Sequence, residues 1–419
     1  MSPIARVRLT PKPATALFTL GIIGYLGENL SPYFTTAIQS GLKVDTVTAS
    51  SVTTALFIAT AIAGILTAPV AAGLRRRALA RIGLAASATG FAAAALVETL
   101  PLMFAAAVLA GLGAGMIVAT SGATMAAFLN PDRVAGIAGL INGAMTAAVL
   151  AIVPLFGLLP LNVFLPLAAL CLVTLLITGW IPQATVPVEA LPMDVSTLSA
   201  TIEGDRVSEK TPRSVLLAGI SLLVIFPIWG LAETSVWGMA SIMAADHVGM
   251  SEDESGLIFS IGEVAALIGA GILAVVGRRL GRALPLAILM ILNAALKVVL
   301  GVLVDPTVWS IGFILWDFVS VVAFLYLLAT AAGLDVTGRW SAPMSAVYMI
   351  GTAFSPIVGA LLIESIGVEG FTWVVAALGL LVALPVAWIA HVSSRRERQQ
   401  EAEAATALTT IDETAARDV

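Results

Sequence analysis

Apolar runs of about 20 residues or more, each long enough to cross a bilayer core as a helix, alternate along the chain with short charged or Pro/Gly-rich breaks. The pattern predicts twelve spans, near residues 14–38, 47–73, 79–98, 101–128, 134–158, 160–181, 214–243, 254–276, 283–304, 307–333, 340–363 and 369–391. The longest internal polar stretch, Pro182 to Arg213, parts them six and six. The expected division is an N-terminal six-helix bundle over 1–181, a cytoplasmic linker over 182–213, a C-terminal six-helix bundle over 214–392 and a charged, Ala-rich tail over 393–419. The tail is read as disordered or loosely helical. The fold class is therefore an all-α polytopic membrane protein, twelve transmembrane helices in two pseudo-symmetric bundles.

A weak internal repeat supports equivalent halves. A shift of 205 residues lays Leu26-Gly27-Glu28-Asn29 on Leu231-Ala232-Glu233-Thr234, and a shift of 207 lays Ala63-Gly64-Ile65-Leu66 on Ala270-Gly271-Ile272-Leu273. Transporter halves retain such traces.

Composition agrees with the span pattern. Charged residues make up 11% of the chain, against about a quarter in a soluble domain, and mean hydropathy is +1.01. One cysteine, Cys171, excludes an internal disulfide, and two histidines near span ends, His247 and His391, give no metal cluster. The apolar run after Met1–Pro13 is too long for a signal-peptide core and is read as retained. With the N-terminus inside, the cytoplasmic segments hold every Lys and Arg except Lys43, in an outside loop, and Lys297, within a span. The outside loop at 244–254 carries Asp246, Glu252, Asp253 and Glu254. This positive-inside bias places both termini in the cytoplasm of a multi-pass cell (inner) membrane protein.

The polar residues left inside the spans carry the candidate chemistry. Span 1 contains Gly24-Tyr25-Leu26-Gly27-Glu28-Asn29-Leu30-Ser31-Pro32-Tyr33. A carboxylate at such depth costs roughly 2.5–3.5 kcal/mol on insertion scales and marks a functional site by default. Pro32 has no N–H for the carbonyl four residues back, which is that of Glu28. Glu28 and Glu233, related by the repeat, are candidates for reversible protonation; the competing role is a protonated Glu bonded to a neighbouring helix. Glu263 in span 8 is a third proton site or a gate bond. Lys297 and Asp317, at similar depth on consecutive helices, are expected to form a structural ion pair, since lone buried charges are penalised more than paired ones. Lys297 could instead snorkel outward.

Two six-helix halves, a cytoplasmic linker and both ends inside resemble the major facilitator superfamily over all twelve spans. The family's cytoplasmic loop motif, roughly G-x-x-x-D-R-x-G-R, is matched in the first half by Gly73 and Arg81, with Arg77 at the Asp position. In the second half Arg279, Gly281 and Arg282 match, with Arg278 at the Asp position. Ala110-Gly111-Leu112-Gly113-Ala114-Gly115 in span 4 is similar to the glycine part of a motif of proton-driven exporters, with Ala107 where those carry Arg. The resemblance implies that spans 1, 4, 7 and 10 line a central cavity, with Tyr25, Asn29, Ser31, Tyr33, Trp229, Trp316 and Asp317 as candidate substrate contacts. It also implies that spans 2, 5, 8 and 11 meet between the halves.

The function expected is secondary active transport of a small organic solute by alternating access, coupled to protons through Glu28, Glu233 and Glu263. No G-x-x-x-x-G-K-[ST] loop is present, so nucleotide drive and a cofactor are not expected. No Arg lies inside a span, which disfavours organic anions. Acids beside aromatic rings suit cationic or neutral amphipathic compounds, exported by proton antiport. The alternatives are a proton-coupled importer of a neutral solute such as a sugar, and, in another class, a receptor or scaffold on a transporter fold. Expected partners are the substrate, protons and the lipid bilayer, with no nucleic acid, and the chain is read as a monomer and not an enzyme.

Overall fold

A computed structural model describes residues 8–125, 127–128, 131–182, 213–276, 281–334, 340 and 344–417. Ten helical stretches among them are long and apolar enough to cross a membrane. Two further crossings complete twelve. Span 1 is split into Pro11–Asn29 and Ser31–Leu42, and the stretch Val347–Arg396 contains two passes that turn at Gly367, φ 75. The positive φ at that turn is one that glycine adopts without strain.

Spans 2 to 6 are built on Thr46–Ala72, Arg76–Leu96, Leu100–Met125, Pro131–Ile152 and Pro160–Ile177. Spans 7 to 10 are Arg213–Ile242, Glu252–Val276, Ala283–Val302 and Pro306–Leu334. Span 11 starts with Met344–Ala353, and the final helix Ser355–Arg417 supplies its end and all of span 12.

Two breaks share one cause. Span 1 breaks at Leu30 (φ −99, ψ 12) and span 11 at Phe354, each directly before a Ser-Pro pair, Ser31-Pro32 and Ser355-Pro356. Each proline withholds the N–H that would bond the carbonyl four residues earlier. Those carbonyls belong to Glu28 and Thr352. The Thr352 carbonyl instead accepts from Ser355 Oγ at 2.8 Å.

Within the N-terminal half, span 4 packs on spans 1, 2 and 3, and span 3 on span 6. Within the C-terminal half, span 10 packs on spans 8, 9 and 12, and span 7 on span 11. Spans 2 and 4 approach closely because Gly111 and Gly115 lie against the carbonyls of Leu56 and Thr60, where a methyl group would collide.

The halves meet through spans 1 and 7, 2 and 11, and 5 and 8. Exchanging the halves maps the first contact on itself and the second on the third, as a pseudo-two-fold axis requires. One end of the bundle carries Asp45, Glu98, Asp246, Glu252, Asp253 and Glu254; the other carries Arg75, Arg76, Arg77, Arg81 and Arg282. We call these the acidic and basic ends.

All three hydrogen bonds that join the halves between described residues lie toward the acidic end. Thr36 Oγ1 donates to Ser241 Oγ at 3.1 Å, Leu158 N–H to Glu252 Oε2 at 2.8 Å, and Ile357 N–H to Thr54 Oγ1 at 3.1 Å. Nearby, Gly256 is pressed against Pro154 and the Leu150 carbonyl. Toward the basic end, Gly136 and Gly139 of span 5 and Gly271 of span 8 face no atom within 4 Å. Among the described residues the halves are bonded at, and so sealed toward, the acidic end, and no hydrogen bond joins them at the basic end.

Candidate functional site

Glu28 lies on the central slot between the halves. The slot is walled by Gly24, Tyr25, Gly27 and Glu28 of span 1, Leu56, Phe57 and Thr60 of span 2, Phe91 of span 3, Ala114 and Val118 of span 4, and Met349 and Thr352 of span 11. Its volume is about 30 Å³, space for roughly two waters. Tyr25 is 42% exposed beside it, and Glu28 is half-buried. Among the described residues no basic group pairs with Glu28. The two residues whose carbonyls lose their donors to Pro32 and Pro356, Glu28 and Thr352, both reach this slot. The hydroxyl protons of Thr60 and Thr352 are used within their own helices, on the carbonyls of Leu56 (2.9 Å) and Met349 (3.2 Å). The Glu28 carboxylate is thus the charged group of the slot.

Glu233 occupies the equivalent place in span 7 but has a different environment. Lys297 Nζ lies 2.5 Å from Glu233 Oε1, both side chains buried. Asn293 Nδ2 donates to Glu233 Oε2 at 3.0 Å and to Ser320 Oγ at 2.8 Å. Ser320 Oγ is 3.0 Å from Glu233 Oε2 and 2.8 Å from the Trp316 carbonyl. The expected pair of Lys297 with Asp317 is corrected: Lys297 is bonded to Glu233, and snorkelling is corrected with it, since Lys297 is 0% exposed.

Asp317 faces span 8. Its Oδ2 is buried without a hydrogen-bond partner, 3.0 Å from where a Cβ on Gly262 would stand. The next residue in span 8 is Glu263, half-buried, whose charge acts on Asp317, as does that of Glu233.

Several candidate contacts lie elsewhere than the slot. Tyr33 is fully buried and donates to the Leu150 carbonyl at 2.7 Å. Asn29 Nδ2 donates to Thr146 Oγ1 of span 5 at 2.7 Å. Ser31 is buried against Gly238 where spans 1 and 7 meet. Trp316 is buried on Phe313, ring centroids 5.4 Å apart. Trp229 is buried in a cluster with Phe226, Phe324 and Tyr348 at 5.9 to 6.5 Å. These placements correct the expectation that the four buried side chains Tyr33, Ser31, Trp229 and Trp316 face the cavity in this conformation. Being on a cavity-lining span does not fix which face a residue takes.

The loop-motif residues tie helix ends together within each half. Gly73 ends span 2. Arg77 Nε donates to the Ile181 carbonyl at 2.7 Å and Arg81 Nε to Thr178 Oγ1 at 3.1 Å, fastening span 3 to span 6. Gly281 takes φ 71, and Arg282 donates to Ser393 Oγ at 3.1 Å, fastening span 9 to span 12. Arg278 and Arg279 lie outside the described residues.

Three residues were missed from sequence. Asn293 stands four before Lys297, hence on the same helix face, and that spacing was available to find it. Thr352 could have been found by matching Ser355-Pro356 to Ser31-Pro32. Tyr348 packs on Gly230 and lies within electrostatic reach of both Glu28 and Glu233.

Residues 16–197 and 222–416 match the family model described as Major Facilitator Superfamily. No curated protein sequence matches the chain. Among solved structures, a POT family transporter in complex with a thioalcohol-conjugated peptide superposes with TM-score 0.68 at 14% identity, over 89% of this chain and 95% of that one. A D-xylose-proton symporter superposes with TM-score 0.65 at 14% identity, over 90% and 96%. The nucleoside transporter NupG gives 0.66 at 16% identity, over 90% and 98%. At such identities the likeness is one of fold.

Proposed function

The chain belongs to the major facilitator superfamily of transporters, and from that premise we propose that it exchanges protons for a cationic or neutral amphipathic organic compound across the cell membrane, with Glu28 as the shared site. The observation that carries the reading is the Glu28 carboxylate, on the central slot, beside an exposed Tyr25 and with no basic partner among the described residues. A carboxylate and an aromatic face together attract an organic cation through charge and through the ring quadrupole. One carboxylate cannot hold a proton and a cation's charge at once, so binding of one favours release of the other. Competition of that kind drives exchange rather than joint import.

Glu233, the second expected proton carrier, is occupied by Lys297, which favours Glu28 as the exchanging acid. The slot is too small for an organic solute, so we read this conformation as narrowed around an empty site. If the basic end is cytoplasmic, as the distribution of Lys and Arg suggests, the sealed end is the outer one. Alternating access then separates spans 1 and 7 at Thr36–Ser241 while spans 5 and 8 close at the basic end.

The test is ethidium transport by the purified protein in proteoliposomes under an imposed pH gradient. Wild type is expected to accumulate ethidium against its gradient. Glu28→Gln is expected to lose that accumulation while keeping a wild-type unfolding temperature. Full gradient-driven accumulation by Glu28→Gln would end the proposal. Uptake of a labelled hexose along the proton gradient, without ethidium exchange, would select the importer instead.

A further inference from the structure

Spans 8 and 10 bring together two acids that the Glu28 reading does not use. We propose that Glu263 and Asp317 form a second proton site, one proton held between two carboxyl groups inside the C-terminal half and separate from Glu28. Asp317 is 7% exposed, and its Oδ2 points at the turn of span 8 that carries Gly262 and Glu263 without meeting a donor. A buried acceptor oxygen without a partner needs a donor. A protonated neighbouring carboxyl supplies one.

Among the described residues, the charges around the pair leave no other compensation. Span 7 presents Glu233 and span 9 presents Lys297, and these two neutralise each other at 2.5 Å. Span 12, which also packs on span 10, has no titratable side chain from 370 to 390, and span 5, which packs on span 8, has none from 134 to 156. Two carboxylates within electrostatic reach of each other repel, and the repulsion is removed when they share a proton and titrate as a pair. Beside Asp317, Phe313 also lies against Gly262, and its ring packs on Trp316 at 5.4 Å and, tilted, on Phe259 at 4.9 Å. Hard metal cations require several oxygen ligands, which these rings do not provide, so the cation assigned to the pair is a proton and not sodium.

The site is intrinsic to one half, and a change in its charge alters the packing of span 8, which faces span 5 across the interface. It extends the proton-coupled reading, but its test counts bound protons without transport, so the two fail separately. Infrared difference spectra of the purified full-length protein are recorded across pH in sodium-free buffer, in wild type and Glu28→Gln. A protonated-carboxyl C=O band that persists in Glu28→Gln is expected. Asp317→Asn and Glu263→Gln are each expected to shift or remove that band, and the double substitution to abolish it. Absence of the band from Glu28→Gln, a measurement that leaves the pair intact, would overturn the proposal. So would a band left unchanged in the double variant, or a sodium-induced change at constant ionic strength that replaces the pH response.

Discussion

Lys297 and Glu233 form a buried ion pair within the C-terminal half, 2.5 Å apart, while Glu28, the counterpart of Glu233, has no such partner among the described residues. The shift of 205 residues that relates the two acids puts Ala92 opposite Lys297, Ala88 opposite Asn293 and Gly115 opposite Ser320. Every group that satisfies Glu233 is thus replaced in the first half by a residue with no polar side chain. The two halves share a backbone plan, but one acid is fixed and the other is left available to the slot.

That asymmetry predicts how the pair responds to substitution. Removing one member of a buried pair strands the other charge, at about 3–5 kcal/mol, whereas replacing both by apolar groups is often neutral. Glu233→Gln and Lys297→Met should each lower the thermal unfolding midpoint in detergent strongly. The double variant Glu233→Leu/Lys297→Met should recover most of the loss, giving a large coupling in a double-mutant cycle. Additive single losses would mean that the two side chains do not act as a pair.

The spans were legible because a bilayer imposes length and apolarity on each crossing, and neither depends on tertiary contacts. The pairing of Lys297 was not. Depth and helix order put it beside Asp317 on the next span, but span 9 also touches span 7 through its Asn293–Lys297 face. The cavity aromatics failed for a related reason. In a helix apolar on all sides, periodicity no longer distinguishes the buried face from the one turned to a cavity. Trp229 and Trp316 are therefore identical to cavity residues in sequence, yet both are buried. Glu28 was legible because a lone acid in an apolar run is itself a signal.

Asp45 caps the helix of span 2 at the acidic end, accepting Thr48 N–H and Thr48 Oγ1, each at 2.8 Å. The Thr48 N–H, then its hydroxyl, hold the Asp45 carboxyl below its ordinary value of 3.8. A carboxyl lowered on folding stabilises the fold above the unfolded value, and the contribution is lost as pH falls through the folded one. Asp45→Ala should therefore unfold at a lower temperature than wild type at neutral pH. The gap should narrow only below pH 3.8. A gap that is constant across that range would show that the charge of Asp45 plays no part in the cap.

Thr36 and Ser241 are also 205 positions apart, and they bond to each other at 3.1 Å. A residue that touches its own counterpart lies at the pseudo-two-fold axis, here on the sealed acidic end. Facing side-chain oxygens at that distance suit a disulfide, which needs Cα atoms about 4.4–6.8 Å apart. Thr36→Cys/Ser241→Cys, with the native Cys171 changed to Ala, should cross-link under mild oxidation, detected by mass spectrometry of a tryptic digest. The oxidised protein should lose proteoliposome transport, and reductant should restore it, because the halves must part at this point for the acidic end to open. Either cysteine alone should leave transport unaffected. Undiminished transport by fully cross-linked protein would place the opening elsewhere and remove Thr36–Ser241 from the gate.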